Sequence, residues 1–182
     1  MRNSELGRTL AQPPRPRKAC CKHLFERLAY GTRGASNRGM TQDLAARRLQ
    51  TVRDHMALEV THDWDGVIAT FDHPRYEMAT GAVLDGEAAV RRYFDLSRTP
   101  FPDQGNEIIA IAHDGDSVLV EFWLTGTHTG PLRVAGKTVE GTGKAFKVRM
   151  AASFEFAPNS DRIVCERPYF DGTAVPRALG LI

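Results

Sequence analysis

The sequence predicts an α+β domain, with helices first and a curved antiparallel sheet after them. Two observations carry this. From Thr41 to Arg98 apolar residues recur at helical spacing, interrupted around Pro74, Gly81 and Gly86. From Glu107 onward they alternate by twos, in long runs separated by Gly, Pro and Asp turns. The two patterns are segregated along the chain, which excludes an alternating α/β layout.

The elements follow in order. Thr41 can cap a long first helix, along which Leu44, Leu49, Val52, Met56 and Val60 recur. THDWDGVIATF reads as a second, short helix capped by Asp63 or Asp65, burying Trp64, Val67, Ile68 and Phe71. HPRYEMATGAVLDG loses the periodicity and reads as loop, short strand and turn. GEAAVRRYFDLSRTPFP is a third helix, stopped near Pro100 and Pro102. Glu107–His113 turns at Asp114-Gly115-Asp116 into a long strand over Ser117–His128, with Gly126 as a bulge or kink. Gly130-Pro131 and Gly136-Lys137 mark a loop. Lys144–Phe156 alternates, with Phe146, Val148, Met150, Phe154 and Phe156 on one face. Arg162–Phe170 is the last strand, and Thr173–Leu181 a short helical tail. Such a sheet, curved against helices, can enclose one deep apolar pocket for a small hydrophobic molecule.

Charge divides the chain. Its 182 residues carry a net +2, but residues 1–39 hold nine Lys or Arg against Glu5 and Glu26, leaving −5 for the remainder. The acidic body gives no reason to expect nucleic-acid binding. Residues 1–40 are rich in Pro, Gly, Arg and Ser and are expected to be a disordered extension, or to lie upstream of a true start at Met40. The domain proper is then 41–182. No apolar run approaches the roughly 20 residues needed to span a bilayer. Adjacent Cys20 and Cys21, with Cys165 in a strand, make a poor disulfide framework, so reduced thiols and a cytoplasmic location are expected. The His-Asp pairs at 62–63 and 113–114 lack further metal ligands, so no metal is expected.

Four stretches occur in order at workable spacing: HDWDGVIATFDHPRYEMATG, LDGEAAVRRYF, LTGTHTGPL and ERPYFDGTAVPRALGL. Together they resemble the SnoaL-like polyketide cyclase (ester cyclase) branch of the nuclear transport factor 2-like superfamily, over about Thr41–Ile182. The resemblance implies a cone-shaped, cystatin-like α+β barrel, a homodimer formed through the outer sheet face, and no cofactor. It also implies an intramolecular aldol ring closure, or a related isomerase or lyase reaction, driven by an acid in the pocket. A carboxylate in an apolar cone is desolvated, so its pKa rises and it becomes a competent base near neutral pH. The same fold hosts non-catalytic binding and dimerisation domains, and that alternative stays open.

Anchored on Leu179-Gly180, the acid of the characterised cyclases falls at Pro168, which has no proton chemistry. Asp171 matches an acidic position shared across the wider family, and equally reads as an N-cap for the tail. His128, where a strand enters the Gly130-Pro131 turn, could polarise a carbonyl or simply bond its neighbours Thr127 and Thr129. Glu77 and Tyr76 fall in a region that lines the pocket in relatives, and Glu77 could supply the missing carboxylate or be a solvated charge. Asp171, His128 and Glu77 are therefore the catalytic candidates. Tyr169, Tyr76, Trp64, Trp123 and Phe146 are candidate substrate-binding residues, as pocket wall or as core. Arg149, inside an apolar strand, requires a partner such as Glu121, Glu155 or Glu166, or faces the dimer side.

Overall fold

The structure, a computed structural model, describes residues 35–182. Residues 1–34, with most of the basic stretch and the Cys20–Cys21 pair, lie outside the described residues.

Helix α1 spans Ala35–Thr61. It runs through Thr41, which is therefore an interior helical residue and not a cap. Its buried stripe is Arg48, Val52, His55 and Met56, at spacings of three and four, turned toward the sheet. Val60, expected in that stripe, is exposed. Two polar side chains thus occupy the face that apolar periodicity defines. Helix α2 (Trp64–Ala69) follows at once, with the Asp63 carboxylate accepting the Gly66 N–H at 2.9 Å as its cap. A two-stranded excursion, β1 (Arg75–Glu77) and β2 (Val83–Asp85), leads into α3 (Glu87–Arg98).

The remaining strands are β3 (Gly105–Asp114), β4 (Ser117–Thr127), β5 (Leu132–Val134), β6 (Lys137–Val139), β7 (Ala145–Phe156) and β8 (Ile163–Tyr169), closed by α4 (Ala174–Ala178). Six form one sheet in the order β2-β1-β8-β7-β4-β3. The sheet is open and curved, with β2 and β3 as free edges, so the barrel implied by the resemblance is not closed. All pairings in it are antiparallel except β1 with β8, which sets Tyr76 beside Glu166. That single parallel pairing brings residues ninety positions apart to one spot.

Two expectations are corrected. Gly126 makes no bulge: β4 and β7 pair in unbroken register from Ser117–Glu155 to Thr127–Ala145, and the irregularity lies in β3 at Ile108–Ala110. What Gly126 provides is space, because a Cβ there would stand 3.0 Å from the Phe146 ring. The Gly130–Lys137 loop contains the β5–β6 hairpin, whose two turn residues Ala135 and Gly136 both have positive φ. Positive φ at both positions is the signature of a two-residue turn whose twist matches its strands.

Alternation sorts the sheet into two faces. Inward from β7 point Phe146, Val148, Met150, Ala152, Phe154 and Phe156, and from β4 Val118, Val120, Phe122 and Leu124. These pack with Val52, Met56, Val67, Phe71, Tyr76, Val90 and Phe94 from the helices and β1. Each such large apolar side chain, fully buried, contributes roughly 1.5–3 kcal/mol. A second cluster, Phe101, Phe146, Val148 and Leu179, closes the other end under α4. Among the described residues no helix is long and apolar enough to cross a membrane.

Candidate active site

A small chamber of about 50 Å³ lies between the two clusters. It is built from parts far apart in sequence. Glu59 comes from α1, one turn beyond His55; Tyr76 from β1; Arg98 from the end of α3; Asn106 from β3; and Glu166 from β8. A larger vestibule of about 340 Å³, walled by Met78, Leu96, Phe101, Leu132, Phe170 and Val175, adjoins it. Tyr93, Gln104, Leu124 and Met150 line both spaces, so the chamber is the polar inner end of an apolar entrance. A separate surface groove of about 360 Å³ beside Arg48 and His113 shares no wall with either.

His55 organises the chamber. Its Nδ1 lies 2.8 Å from Thr70 Oγ1, and the Thr70 hydroxyl donates its own hydrogen to the Val67 carbonyl at 2.7 Å. The hydroxyl has no second hydrogen, so Nδ1–H must be the donor to it. This fixes the ring and aims Nε2 at the acids. Around Nε2 stand Glu166 Oε2 at 3.2 Å, the Tyr76 hydroxyl at 3.4 Å and Glu59 Oε1 at 3.8 Å. Phe71 and Phe154 meet the imidazole edge-on, each with its centroid 5.4 Å away.

These surroundings push the three groups in different directions. Burial opposes a charged His55, but Glu166 and Glu59 outweigh it and hold its pKa up at about 9. Burial would also raise Glu59, yet His55, Arg98 and the Tyr76 hydroxyl overcome this and keep it more acidic than usual. Glu166 goes the other way: burial lifts its pKa, the neighbouring Glu59 charge adds to this, and His55 only partly offsets them. The resting arrangement is a His55 cation against a Glu59 anion, with the Glu166 pKa raised above that of an ordinary carboxylate. Glu166 is 7% exposed, and its Oε2 has no well-aligned hydrogen-bond donor. His55 Nε2, Glu59 and Glu166 offer atoms all within 4.8 Å of one another, so these three are also the residues that could hold a metal ion.

This pattern gives a pH dependence with a definite sign. A His55 pKa raised from 6.5 to about 9 contributes stability that is fully present below pH 6.5 and lost as pH rises through 9. Glu166 acts in the same sense, because ionising it above the ordinary carboxylate range destabilises the fold. The urea midpoint is expected to fall steadily from pH 6.5 to 9.5, and to flatten in His55→Gln. A wild-type midpoint that stays level or rises over this range contradicts the assignment.

The candidates named from sequence lie elsewhere, with one exception. Tyr76 lines the chamber. Asp171 is exposed at the vestibule rim, where its Oδ1 accepts from the Thr173 backbone N–H at 2.8 Å and hydroxyl at 2.7 Å, holding its carboxyl below the usual range. Glu77 is on the outer sheet face between Arg167 and Arg75, at 2.7 and 2.9 Å, and these guanidinium groups lower its pKa. His128 is wholly buried beside Phe101, with Nδ1 3.1 Å from Thr142 Oγ1, and lines neither space. Trp64 stacks on Phe94 behind the chamber, and Phe146 belongs to the second core cluster. Trp123 and Tyr169 are on the outer face, Trp123 beneath Lys147 and Arg149. Arg149 finds its partner in Glu121 at 3.2 Å.

His55, Glu59, Arg98 and the inward orientation of Glu166 escape the sequence reading. The available signals were an acid four residues after a histidine on the apolar stripe of α1, and the parity that sets Glu166 with Pro168 and opposite to Tyr169.

A family profile described as the SnoaL-like domain matches residues 52–166, a span that runs through the chamber residues of α1 and ends on Glu166. None of the curated proteins matches the sequence. Among solved structures, one described as a SnoaL-like polyketide cyclase from Jannaschia sp. CCS1 is 18% identical with a TM-score of 0.66, covering 84% of this chain and 99% of its own. IdmH, described as a polyketide cyclase of Streptomyces antibioticus, is 19% identical with a TM-score of 0.63, covering 73% and 98%. AclR of Streptomyces galilaeus, described as a hydroxylase, is 19% identical with a TM-score of 0.63, covering 76% and 98%. At such identities the structures share the fold, and their differing descriptions show that the fold does not dictate one reaction. The chain belongs to the SnoaL-like domain family.

Proposed function

We propose that the protein is a general acid–base enzyme of the cyclase or isomerase type, acting on a small hydrophobic carbonyl compound, with Glu166 as the base. The observation that carries this is the buried Glu166 carboxyl, its Oε2 3.2 Å from His55 Nε2, at the inner end of an apolar entrance. The substrate body lies in the vestibule and its carbonyl end enters the chamber. Glu166 takes the proton from the carbon next to the carbonyl, and the enolate oxygen receives hydrogen bonds from the chamber donors. Glu166 keeps that proton as its carboxylic acid and returns it to the product, while His55, held charged by Glu59, faces the Glu166 carboxyl through Nε2. The charges of His55 and Arg98 already balance the acids, which favours proton chemistry over a bound metal ion.

The test is a set of conservative variants assayed on aromatic polyketide-like or steroid-like ketones. Asp171→Asn and Glu77→Gln are expected to keep turnover within about threefold of wild type, since both acids are committed to local partners. A loss of a hundredfold in either would return the chemistry to the rim or to the outer face. The second reading, a binding domain without turnover, is favoured by Pro168 at the position of the relatives' acid. It gains the field if wild type binds such ketones without exchanging their α-protons for solvent deuterium.

A second copy of the chain is the partner we propose for the outer sheet face, supported by its exposed Leu119, Ile109 and Tyr169. Sedimentation as a monomer at tens of micromolar would refute that assembly.

A further inference from the structure

Among the described residues Arg98 makes no ion pair. Its guanidinium lies over the Trp64 ring at 5.4 Å, and one terminal nitrogen donates to Ser97 Oγ at 3.2 Å. Its Nε is buried and has no hydrogen-bond partner. Among the described residues no carboxylate lies within ion-pairing distance of it, although Glu59 is near enough to feel its charge. Arg98 lines the chamber together with Gln104, whose side-chain amide makes no hydrogen bond among the described residues. Stacking on Trp64 holds the guanidinium plane, so the donor is positioned before anything binds.

An unmatched buried donor of this kind costs free energy unless something satisfies it. The chamber admits only a small group. A space of about 50 Å³ takes a few heavy atoms, where a single water needs on the order of 10–15 Å³. A ring must therefore remain in the vestibule.

We infer that the chamber selects substrates by an acidic oxygen head, an enol, phenol or carboxylate bound as its anion, with Arg98 as the residue that positions it. This rests on the reading of the chamber as the active site and narrows its substrate class from neutral ketones to vinylogous acids and their relatives. An incoming anion satisfies the unpartnered Arg98 Nε, and the flat apolar body fills the vestibule behind it.

The test is a binding comparison that needs no turnover. Probes are 2-naphthoate and the neutral 2-naphthylmethanol, titrated by calorimetry at pH 7 into wild type, Arg98→Met, Arg98→Lys and Glu166→Gln. Wild type is expected to bind naphthoate at least tenfold more tightly than the alcohol. Arg98→Met should erase that preference, and Arg98→Lys should restore part of it. Glu166→Gln should retain it, which separates this inference from the assignment of the base. Equal or weaker binding of naphthoate by wild type, or no binding of it at all, overturns the proposal regardless of how the variants fold. A preference that survives in folded Arg98→Met overturns it too.

Discussion

Glu166→Gln is expected to lower kcat by about 10²–10⁴-fold while leaving KM within a fewfold, the range that loss of a positioned acid–base group produces. The substitution keeps volume and keeps an acceptor for His55, so the fold has no reason to suffer. What disappears is the buried chamber carboxyl whose pKa is raised, the group paired with His55 Nε2. The pH profile supplies the second readout. Wild-type kcat/KM should rise with pH through an apparent value above the ordinary carboxylate range, belonging to the His55–Glu59–Glu166 set as a whole. A variant that retains more than a tenth of the wild-type rate removes Glu166 from the mechanism.

Arg48→Met is expected to destabilise the fold by about 3–5 kcal/mol, a large part of the 5–15 kcal/mol that holds a domain of this size. Arg48 is 1% exposed. It donates to the carbonyls of Ser160 at 2.8 Å, Gly115 at 2.8 Å and Ala157 at 2.9 Å, and pairs with Asp116 at 2.9 Å. Those acceptors belong to the turn joining β3 to β4 and the turn joining β7 to β8, so one side chain ties α1 to both. Methionine keeps the contact with Phe156, over which the guanidinium sits at 5.2 Å, but leaves the carbonyls without donors. Its exposed neighbour Arg47, paired with Asp43 and Asp161, provides the control: Arg47→Met should change stability by at most about 1 kcal/mol. The measurement is the urea midpoint at constant m-value, and a shift below about 1 kcal/mol for Arg48→Met contradicts this account.

These residues also show what a sequence can reveal. The strands are legible because alternation is a local signal: Phe146, Val148, Phe154 and Phe156 announce an inward face without reference to anything else. The tail is legible as well, but its N-cap is Thr173, and Asp171 closes a turn onto Thr173 instead of capping the helix as expected. The chamber is another matter. His55, Tyr76, Arg98 and Glu166 meet only because β1 pairs in parallel with β8 and α1 packs on the sheet, and neither fact is written in any one segment. A polar residue on an apolar stripe reads as an interruption until its partners are in place. Arg48 and His55 occupy the same helix face under the same disguise, one structural and the other proposed as catalytic.

Pro168 sets a measure of reach. Glu166 and Pro168 are successive inward residues of β8, and the strand runs from the core toward Phe170 at the vestibule. Side chains two apart along a strand stand about 6.6 Å from each other. If Glu166 is the base, it works about one repeat farther from the mouth than position 168, where the resemblance places the acid of the cyclases. A molecule cut to their depth would halt with its reactive carbon beside a proline ring. On the proposed reading, a substrate then needs a slim leading end, unbranched for the length of a carbon–carbon–oxygen unit, before its rings begin to widen.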